Sequence, residues 1–304
     1  LARSNIARPY IKFDLLRPSG KQALECAGIA KSYDGGAPVI AGFGVQLPRG
    51  EKVAILGRNG SGKTTLLRSL LEDNFRTAGD LRWGHEVKIG YFPQDFRAFL
   101  DAHATPSMTA CEWLAQWDAA ASQEELRGLL GQMLFRKDEG DKRTAVLSGG
   151  EAARLMFCKL MLEKPNLLAM DEPTNHLDLE SINALNVALQ RYQGTVLLVS
   201  HDYDLVDEVA TRISRVATGA VADFRGVYAI IPTPSKPGAE RWDAVDTVDL
   251  DETARVINKL IADGVHGLIV LGTTGECATL TPSEYQSFVA CVLETVKKRI
   301  PTFI

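Results

Sequence analysis

The sequence lacks long apolar runs and closely spaced cysteines. No stretch approaches the roughly 18–20 consecutive apolar residues that cross a bilayer, and no signal-peptide pattern is present. The five cysteines are widely spaced and form no CxxC pair, which is typical of a reducing compartment, where each is expected to be a small core residue. We therefore expect a cytoplasmic protein with no membrane segment in this chain.

The sequence also lacks an excess of basic charge. Its 34 basic residues stand against 38 acidic ones, giving a net charge of −4. This balance does not indicate a general nucleic-acid or membrane surface, although a local basic patch remains possible. A chain of 304 residues with 45% hydrophobic content is long enough for one large globular domain or two ordinary ones.

Composition divides the chain into three parts. Residues 1–22 are polar and basic and resemble the end of a linker. Residues 23–226 alternate short apolar strands with helices, the α/β pattern, around a helical subdomain at about 96–150 in which Trp113 and Trp117 are expected to pack in the core. A proline-rich and acidic stretch follows near Gly226, and residues 227–304 begin a new rhythm of strand and helix. Both ends of the sequence suggest a fragment.

A glycine-rich turn between a strand and a helix predicts a phosphate-binding loop. Glycines allow successive backbone N–H groups to surround a phosphate at the positive end of a helix dipole. Lys63 would add a positive charge to the β- and γ-phosphates, and the Thr64 hydroxyl could coordinate Mg²⁺. The candidate nucleotide-binding residues in this stretch are Gly57, Arg58, Asn59, Gly60, Ser61, Gly62, Lys63, Thr64 and Thr65.

A second apolar strand ends in two carboxylates, Asp171 and Glu172. The apolar residues before them predict a buried strand of a parallel sheet. Asp171 could hold Mg²⁺ at the exposed end of that strand, and Glu172 could polarise the water that attacks the γ-phosphate. Upstream, Ser148, Gly149, Gly150 and Glu151 precede a helix and could present a hydroxyl and backbone amides to a γ-phosphate.

In this order, GRNGSGKT, LSGGE and LLAMDEP resemble the motifs of the ATP-binding cassette superfamily. The resemblance implies a P-loop NTPase fold and further roles: Tyr33 stacks on adenine, Gln94 reaches Mg²⁺ and water, Asp178 is the D-loop aspartate, and His201 contacts the γ-phosphate. It also implies that ATP is bound between the phosphate loop of one cassette and the signature of another. The chain would then need a homodimer or a missing partner cassette.

The stretch DEPTNHLD at 171–178 resembles the F-type cassettes, soluble proteins with two cassettes on one chain. Together with RPYIKF at 8–13, VKIGYFPQD at 87–95 and VADFRG at 221–226, it resembles the second cassette of an F-type protein close to the YbiT-like group. That likeness implies ATP hydrolysis in a ribosome-associated translation factor. The nucleotide-binding subunit of a membrane transporter is the alternative.

Residues 227–304 resemble the opening of a pyruvate-dependent aldolase of the dihydrodipicolinate synthase and N-acetylneuraminate lyase family. The likeness rests on GVYAIIPTP at 226–234 and LGTTGE at 271–276, where Thr273 and Thr274 would belong to a turn that binds a carboxylate. A TIM barrel needs eight βα units and only two are present. We expect an incomplete barrel without aldolase activity, because Lys259, Lys297 and Lys298 fall on predicted helices.

Overall fold

The computed structural model describes residues 8–136, 139–217, 220–225, 228–231, 233–236, 247–265, 267–270, 280–300 and 302–303. Contacts divide the chain into two compact units. The first comprises residues 1–201 and 213–223, and the second comprises 202–212 and 224–304. The domain boundaries predicted at 22/23 and 226/227 remain predictions. The predicted carboxylate-binding turn with Thr273 and Thr274 lies outside the described residues and also remains a prediction.

Strands and helices are interspersed along the chain. Up to residue 171 they are β1 (Gln22–Lys31), β2 (Ile40–Pro48), β3 (Lys52–Leu56), α1 (Lys63–Leu71), β4 (Ala78–Trp83), β5 (Ile89–Phe92), α2 (Phe96–Ala102), α3 (Ala110–Ala115), α4 (Gln123–Gln132), α5 (Gly149–Glu163) and β6 (Leu167–Asp171). Beyond it they are α6 (Leu179–Arg191), β7 (Thr195–Val199), α7 (Tyr203–Val209), β8 (Arg212–Ala217), β9 (Ala220–Arg225), β10 (Tyr228–Ile231), α8 (Leu250–Ala262), β11 (Gly267–Val270), α9 (Pro282–Val296) and β12 (Thr302–Phe303).

A six-stranded sheet in the order β5-β6-β7-β3-β8-β9 carries the residues of interest. The pairs β5/β6, β6/β7 and β7/β3 are parallel, so the carboxyl ends of these four strands meet at one edge. Every residue of β6 and β7 is buried, as the unbroken apolar runs predict for strands covered on both faces. This edge brings the segments after β3, β5, β6 and β7 together.

A three-stranded antiparallel sheet, β2-β1-β4, packs beside it through a shared apolar core. The sequence predicts a strand at Gln22–Cys26, and β1 continues five residues further, because it pairs with β2 on one side and β4 on the other. Gly28, with a φ of 65°, lies at the shift in register between Cys26 and Ile29. That irregularity breaks the alternation from which the strand was predicted.

The helical region contains α2, α3, α4 and the start of α5. Capping boxes at Thr109–Glu112 and Ser148–Glu151 define the starts of α3 and α5. Trp113 is fully buried, as predicted. The expectation that Trp117 packs in the core is wrong in degree: its ring is half-buried, and the Lys159 ammonium lies 4.2 Å from the ring centroid. The long aliphatic side chain of Lys159 can cover the Trp117 ring and keep its ammonium over the ring face.

Residues 8–19 lie along the first unit without forming a helix or a strand. The backbone N–H of Tyr10 donates to the Gln132 carbonyl, and that of Leu16 donates to the Lys164 carbonyl. Ile11 and Phe13 are each only 5% exposed, so alternate residues face the protein. This segment is therefore docked on the protein, although its polar composition predicts a linker.

The second unit contains three parallel strands in the order β10-β11-β12, with α8 and α9 packed on them. Ile257, Phe288 and Leu268 are fully buried in its core. These are the two βα units and a third strand that the sequence predicts. The sequence predicts a helix over Pro282–Arg299, whereas α9 ends at Val296, three residues earlier, because Lys297 and Lys298 adopt left-handed conformations. Neither lysine therefore lies inside the helix.

Two further expectations from composition can be compared with the structure. Cys26, Cys111 and Cys158 are buried, Cys291 is only half-buried, and Cys277 lies outside the described residues. Within the described parts of the chain, no helix combines the length and hydropathy needed to span a bilayer.

Candidate nucleotide-binding site

The loop after β3 contains two glycines, Gly57 and Gly62, where an added side chain would collide with neighbouring atoms. Gly62 has a φ of 106° and is the N-cap of α1; a Cβ there would lie 2.7 Å from Val39 Cγ1. A Cβ at Gly57 would lie 2.5 Å from Ser61 Oγ and from the Val216 carbonyl oxygen. The backbone thus turns in a space too narrow for a side chain, at a helix N-terminus, which is the arrangement that receives a phosphate.

Lys63 begins α1 and points back across this loop. Its ammonium donates to the carbonyl oxygens of Gly57 at 3.0 Å and of Arg58 at 3.3 Å, and the residue is only 7% exposed. Burial lowers the pKa of Lys63, while the charges of Glu172 and Asp171 raise it. The lysine is therefore held by its own loop and lies close to two carboxylates.

Asp171, at the carboxyl end of β6, has an electrostatically unsatisfied carboxylate. The residue is fully buried, and neither of its oxygens accepts a hydrogen bond within the described part of the chain. Burial raises the pKa of Asp171 to about 6, and the charge of Glu172 adds to the rise. The nearby Thr64 hydroxyl and the Lys63 ammonium lower it, but the Thr64 hydroxyl points its hydrogen bond at Gln94 and leaves both Asp171 oxygens without a donor. A buried carboxylate without a hydrogen-bond donor needs a cation beside it. Two further oxygen groups are paired close by: the oxygen of the Gln94 amide accepts a hydrogen bond from the Thr64 hydroxyl at 3.3 Å. The donor set is hard and oxygen-only, which suits Mg²⁺.

Glu172 follows directly with a left-handed backbone, φ 50°. Its carboxylate is held by His201, which follows β7: the ring Nε2 lies 3.0 Å from Oε1, and the His201 backbone N–H donates to Oε2 at 3.2 Å. Glu172 is 6% exposed, so these two contacts fix its orientation. Parallel pairing of β6 and β7 explains their meeting, because both residues emerge at the same edge of the sheet.

A cavity of about 580 Å³ opens over these groups. Sequence-predicted residues that line it are Tyr33, Asn59, Gly60, Gly62, Lys63, Thr64, Thr65, Gln94, Glu172 and His201. Val39 and Asn175 also line it and were not predicted as site residues. Asn175 could have been found from its position in the stretch DEPTNHLD, whereas Val39 reaches the cavity only through the fold.

Tyr33 is well placed on the wall of this cavity. Its hydroxyl lies 3.3 Å from Thr65 Oγ1, and its ring contacts Phe75 edge-on with centroids 6.2 Å apart. The Lys31 ammonium lies 5.0 Å from the Tyr33 centroid and 4.3 Å from that of Phe75. The tyrosine is 46% exposed, so part of its ring is accessible to a base.

The signature stretch lies apart from this cavity; none of its four residues is among the described residues that line it. Ser148 is the N-cap of α5 and accepts a hydrogen bond from the Glu151 N–H, while the Glu151 carboxylate accepts from the Ser148 N–H at 2.7 Å. Lys142 donates to both Glu151 oxygens. Ser148 and Gly149 remain exposed. Asp178 caps α6 and accepts from the Ser181 N–H at 2.8 Å.

Comparison with known proteins agrees with this geometry. Residues 40–175 match the ABC transporter family model, and residues 229–304 match that of the dihydrodipicolinate synthetase family. The chain is 43% identical over 226 residues to the probable ATP-binding protein YbiT of Escherichia coli O157:H7, a match that covers 74% of this chain and 42% of that protein. It is 41% identical over 185 residues to ABC transporter F family member 5 of Arabidopsis thaliana, covering 60% of this chain and 26% of that protein. The chain thus spans less than half the length of these relatives.

Solved structures show the same fold at low identity. The dimeric post-hydrolysis structure of the ATP-binding cassette MJ0796 bound to ADP and Pi has a TM-score of 0.57 and 21% identity, covering 66% of this chain and 98% of that one. A bacterial Atm1-family ABC exporter with ATP bound has a TM-score of 0.58 and 19% identity, and the match covers 72% of this chain and 41% of the exporter chain. The first part of this chain is an ATP-binding cassette domain with the P-loop NTPase fold, similar in sequence to YbiT and to F family members, and its last part matches the dihydrodipicolinate synthetase family model.

Proposed function

We propose that the cassette at residues 23–226 binds ATP with Mg²⁺ and hydrolyses it when paired with a second cassette, as part of a ribosome-associated translation factor. The observation that carries the proposal is the meeting of Asp171 and Glu172 with Lys63, Thr64 and Gln94 at one edge of the sheet. A buried carboxylate without hydrogen-bond donors costs stability, and the phosphate loop beside it explains why it is retained.

Each side chain then has a chemical task. Lys63 exchanges its contacts with the Gly57 and Arg58 carbonyls for phosphate oxygens. Thr64, Gln94 and Asp171 would hold Mg²⁺, which when bound neutralises charge on the β- and γ-phosphates. Glu172 accepts a proton from water as the water oxygen bonds to the γ-phosphorus and the bond to the β-phosphate oxygen breaks. His201 keeps the Glu172 carboxylate oriented.

Pairing is supported by the separation of the two motifs within one chain. Ser148 and Gly149 are exposed at the N-terminus of α5, where backbone amides and a hydroxyl are available to a phosphate. They do not line this chain's own cavity, as far as the described residues extend. A second copy or another cassette would place its signature over the γ-phosphate bound here, and this signature over the partner's.

The substitution Glu172→Gln tests the hydrolytic role. We expect the variant to bind ATP with an affinity within about two-fold of wild type and to form dimers with ATP. Its rate of ATP hydrolysis should fall by a factor of roughly 100 or more, because the general base is lost. Phosphate release measures the rate of hydrolysis, and analytical ultracentrifugation measures dimer formation with ATP. Glu124→Gln, an exposed carboxylate on α4, is the matched control. Unchanged turnover in Glu172→Gln would remove Glu172 from this role.

The translation role is supported by resemblance to F-type cassettes in the stretch DEPTNHLD and by the relatives of that type. Purified ribosomes should raise the ATPase rate of the full chain severalfold in the same assay. A rate that is indifferent to ribosomes but raised by a membrane-protein partner would favour the alternative, a transporter's nucleotide-binding subunit.

A further inference from the structure

His176 lies where three segments of the candidate site meet, yet the proposed chemistry gives it no task. It follows Glu172 by four residues and has a left-handed backbone, φ 70°. Its ring contacts Phe96 edge-on, with centroids 5.8 Å apart and planes at 73°. Phe96 is the first residue of α2, two residues after Gln94.

The signature turn packs against the same residue. A Cβ built on Gly149 would lie 3.9 Å from His176 Cβ, and one built on Gly150 would lie 3.6 Å from the His176 carbonyl oxygen. The first two residues of α5 therefore lie beside His176, which is itself exposed. The backbone and Cβ of the histidine are next to the signature, and its ring contacts the Gln94 segment.

Behind Phe96 the contact continues as a row of aromatic rings. Phe96 and Phe92 have centroids 5.5 Å apart, and Phe92 stacks on Phe157 of α5 at 4.8 Å. Phe92 and Phe96 stand on either side of Gln94, and both are buried, as is Phe157. The loop that carries Gln94 is thus held at both ends by rings that pack, directly or through one another, on His176 and the signature helix.

We propose that His176 is a positioning residue that fixes the signature turn of the cassette relative to its own Gln94 and Glu172. This inference rests on the proposed function, in which a signature and a phosphate loop act on different nucleotides. Each cassette would contribute to two sites at once, so the position of the signature turn relative to Gln94 and Glu172 decides whether both sites can close together. The contact between His176 and Phe96 fixes that position through aromatic packing rather than through the charge of the imidazole.

Three variants separate the ring from the backbone. His176→Asn removes the ring but suits a left-handed backbone, since asparagine tolerates that conformation. His176→Phe keeps an aromatic ring and removes both nitrogens. His85→Asn, the same change at an exposed histidine remote from the cavity lining, is the control.

Hydrogen exchange of the full chain without nucleotide is the first measurement. The amides of Ala98 and Phe99 donate to Asp95, and those of Glu151 and Ala152 donate to Ser148. We expect His176→Asn to accelerate exchange of all four at least five-fold, with Leu66 on α1 unchanged, and His176→Phe to restore protection. Unchanged exchange at either pair of amides in His176→Asn would overturn the inference, whether or not the wild type hydrolyses ATP.

Kinetics supply the second measurement, in which a merely structural role predicts a different outcome. His176→Asn should lower kcat at least ten-fold while KM for ATP changes less than two-fold, and His176→Phe should recover most of kcat. A variant that loses ATP binding and thermal stability together, without a separate fall in kcat, would overturn the inference. Non-additive effects of His176→Asn and Phe96→Leu on kcat would support it, and strict additivity would count against it.

Discussion

At the scale of single residues, Asp171 combines full burial with two oxygens that accept no hydrogen bond from any described residue. Its neighbours Lys63 and Thr64 only partly offset the cost of burying the charge, as its raised pKa of about 6 indicates. The site is therefore most strained when no cation is bound, and binding of a cation relieves that strain. Residues kept for chemistry at the expense of stability behave in this way.

Replacing Asp171 by asparagine should show that this carboxylate lowers stability and is needed for cation binding. Without nucleotide, we expect the free energy of unfolding in urea to rise by about 1–3 kcal/mol, because a buried unpaired charge is removed. The additional stabilisation by ATP that depends on Mg²⁺ should disappear. Asp80→Asn, at an exposed strand position, should change neither quantity. A loss of stability in nucleotide-free Asp171→Asn would contradict the expectation.

Most of the candidate site could be predicted from the sequence, because its residues lie in contiguous stretches whose local chemistry is distinctive. Lys63, Thr64, Asp171 and Glu172 follow buried strands of one parallel sheet, so their meeting follows from topology. Val39 could not be predicted, since an apolar residue before β2 has no chemical signal. Its place on the cavity wall arises only when the antiparallel sheet packs beside α1.

At the scale of elements, the sequence predicts strands at Lys52–Leu56, Asn166–Met170 and Thr195–Ser200. Strands β3, β6 and β7 begin and end within one residue of these limits, because unbroken apolar runs mark buried strands. Residues 8–19 were harder to predict. Their inward residues alternate with arginine, lysine and aspartate, and so short a segment gives a weak period of two. Docking is provided by partners distant in sequence, including Phe157 and Tyr192, whose ring centroids lie 6.5 and 6.2 Å from that of Phe13.

The segment's contribution can be measured at Phe13. Phe13→Ala should lower the free energy of unfolding of the cassette by about 3–5 kcal/mol, the cost of emptying a buried aromatic position. Tyr10→Ala, three residues earlier and 55% exposed, should cost far less. Urea unfolding of the full chain distinguishes them. Equal, small effects at both positions would show that the segment behaves as a free tail.

Helix α9 begins with a carboxylate that ties it to the segment before α8. Glu284 accepts hydrogen bonds from the N–H and hydroxyl of Thr281, and from the N–H and hydroxyl of Thr247 at 2.7 Å. These bonds, first those from Thr281 and then those from Thr247, lower the pKa of Glu284 to about 2, against an ordinary value of 4.5. The folded state therefore favours the ionised form.

The pH dependence follows from that direction. The stabilisation by Glu284 is fully present above about pH 4.5 and is lost as the pH falls toward 2, because the unfolded chain takes up the proton first. Glu284→Gln should destabilise α9 at pH 7 and flatten its acid dependence. Exchange of α9 amides at pH 7 and pH 3 reports both effects, with the exposed Glu294→Gln as control. An acid dependence as steep in Glu284→Gln as in the wild type would exclude this role.

At the scale of the whole molecule, the chain has two compact units, each with its own buried core. The cavity over the phosphate loop is lined by described residues of the first unit alone. A ligand that binds only the native state of one unit stabilises that unit by mass action, by about 2.7 kcal/mol at a concentration of 100 times Kd. The other unit gains nothing from such binding.

Thermal unfolding of the full chain should therefore show two transitions, of which Mg²⁺ with a non-hydrolysable ATP analogue raises only one. Calorimetry with and without the analogue gives the result, and Lys63→Ala should remove the shift. A single cooperative transition, or two that rise together, would mean that the units unfold as one. The same experiment would show which transition belongs to the aldolase-like segment.

The parallel sheet of the second unit has a further consequence, for solution behaviour. Its outer strands are β10 and β12, and within the described residues each pairs on one side only. Outer strands of a sheet can pair with strands of other molecules through their backbone groups. Self-association of that kind would increase with protein concentration and would not depend on nucleotide. Comparing dimerisation with and without ATP would therefore separate pairing through these strands from pairing of the cassettes.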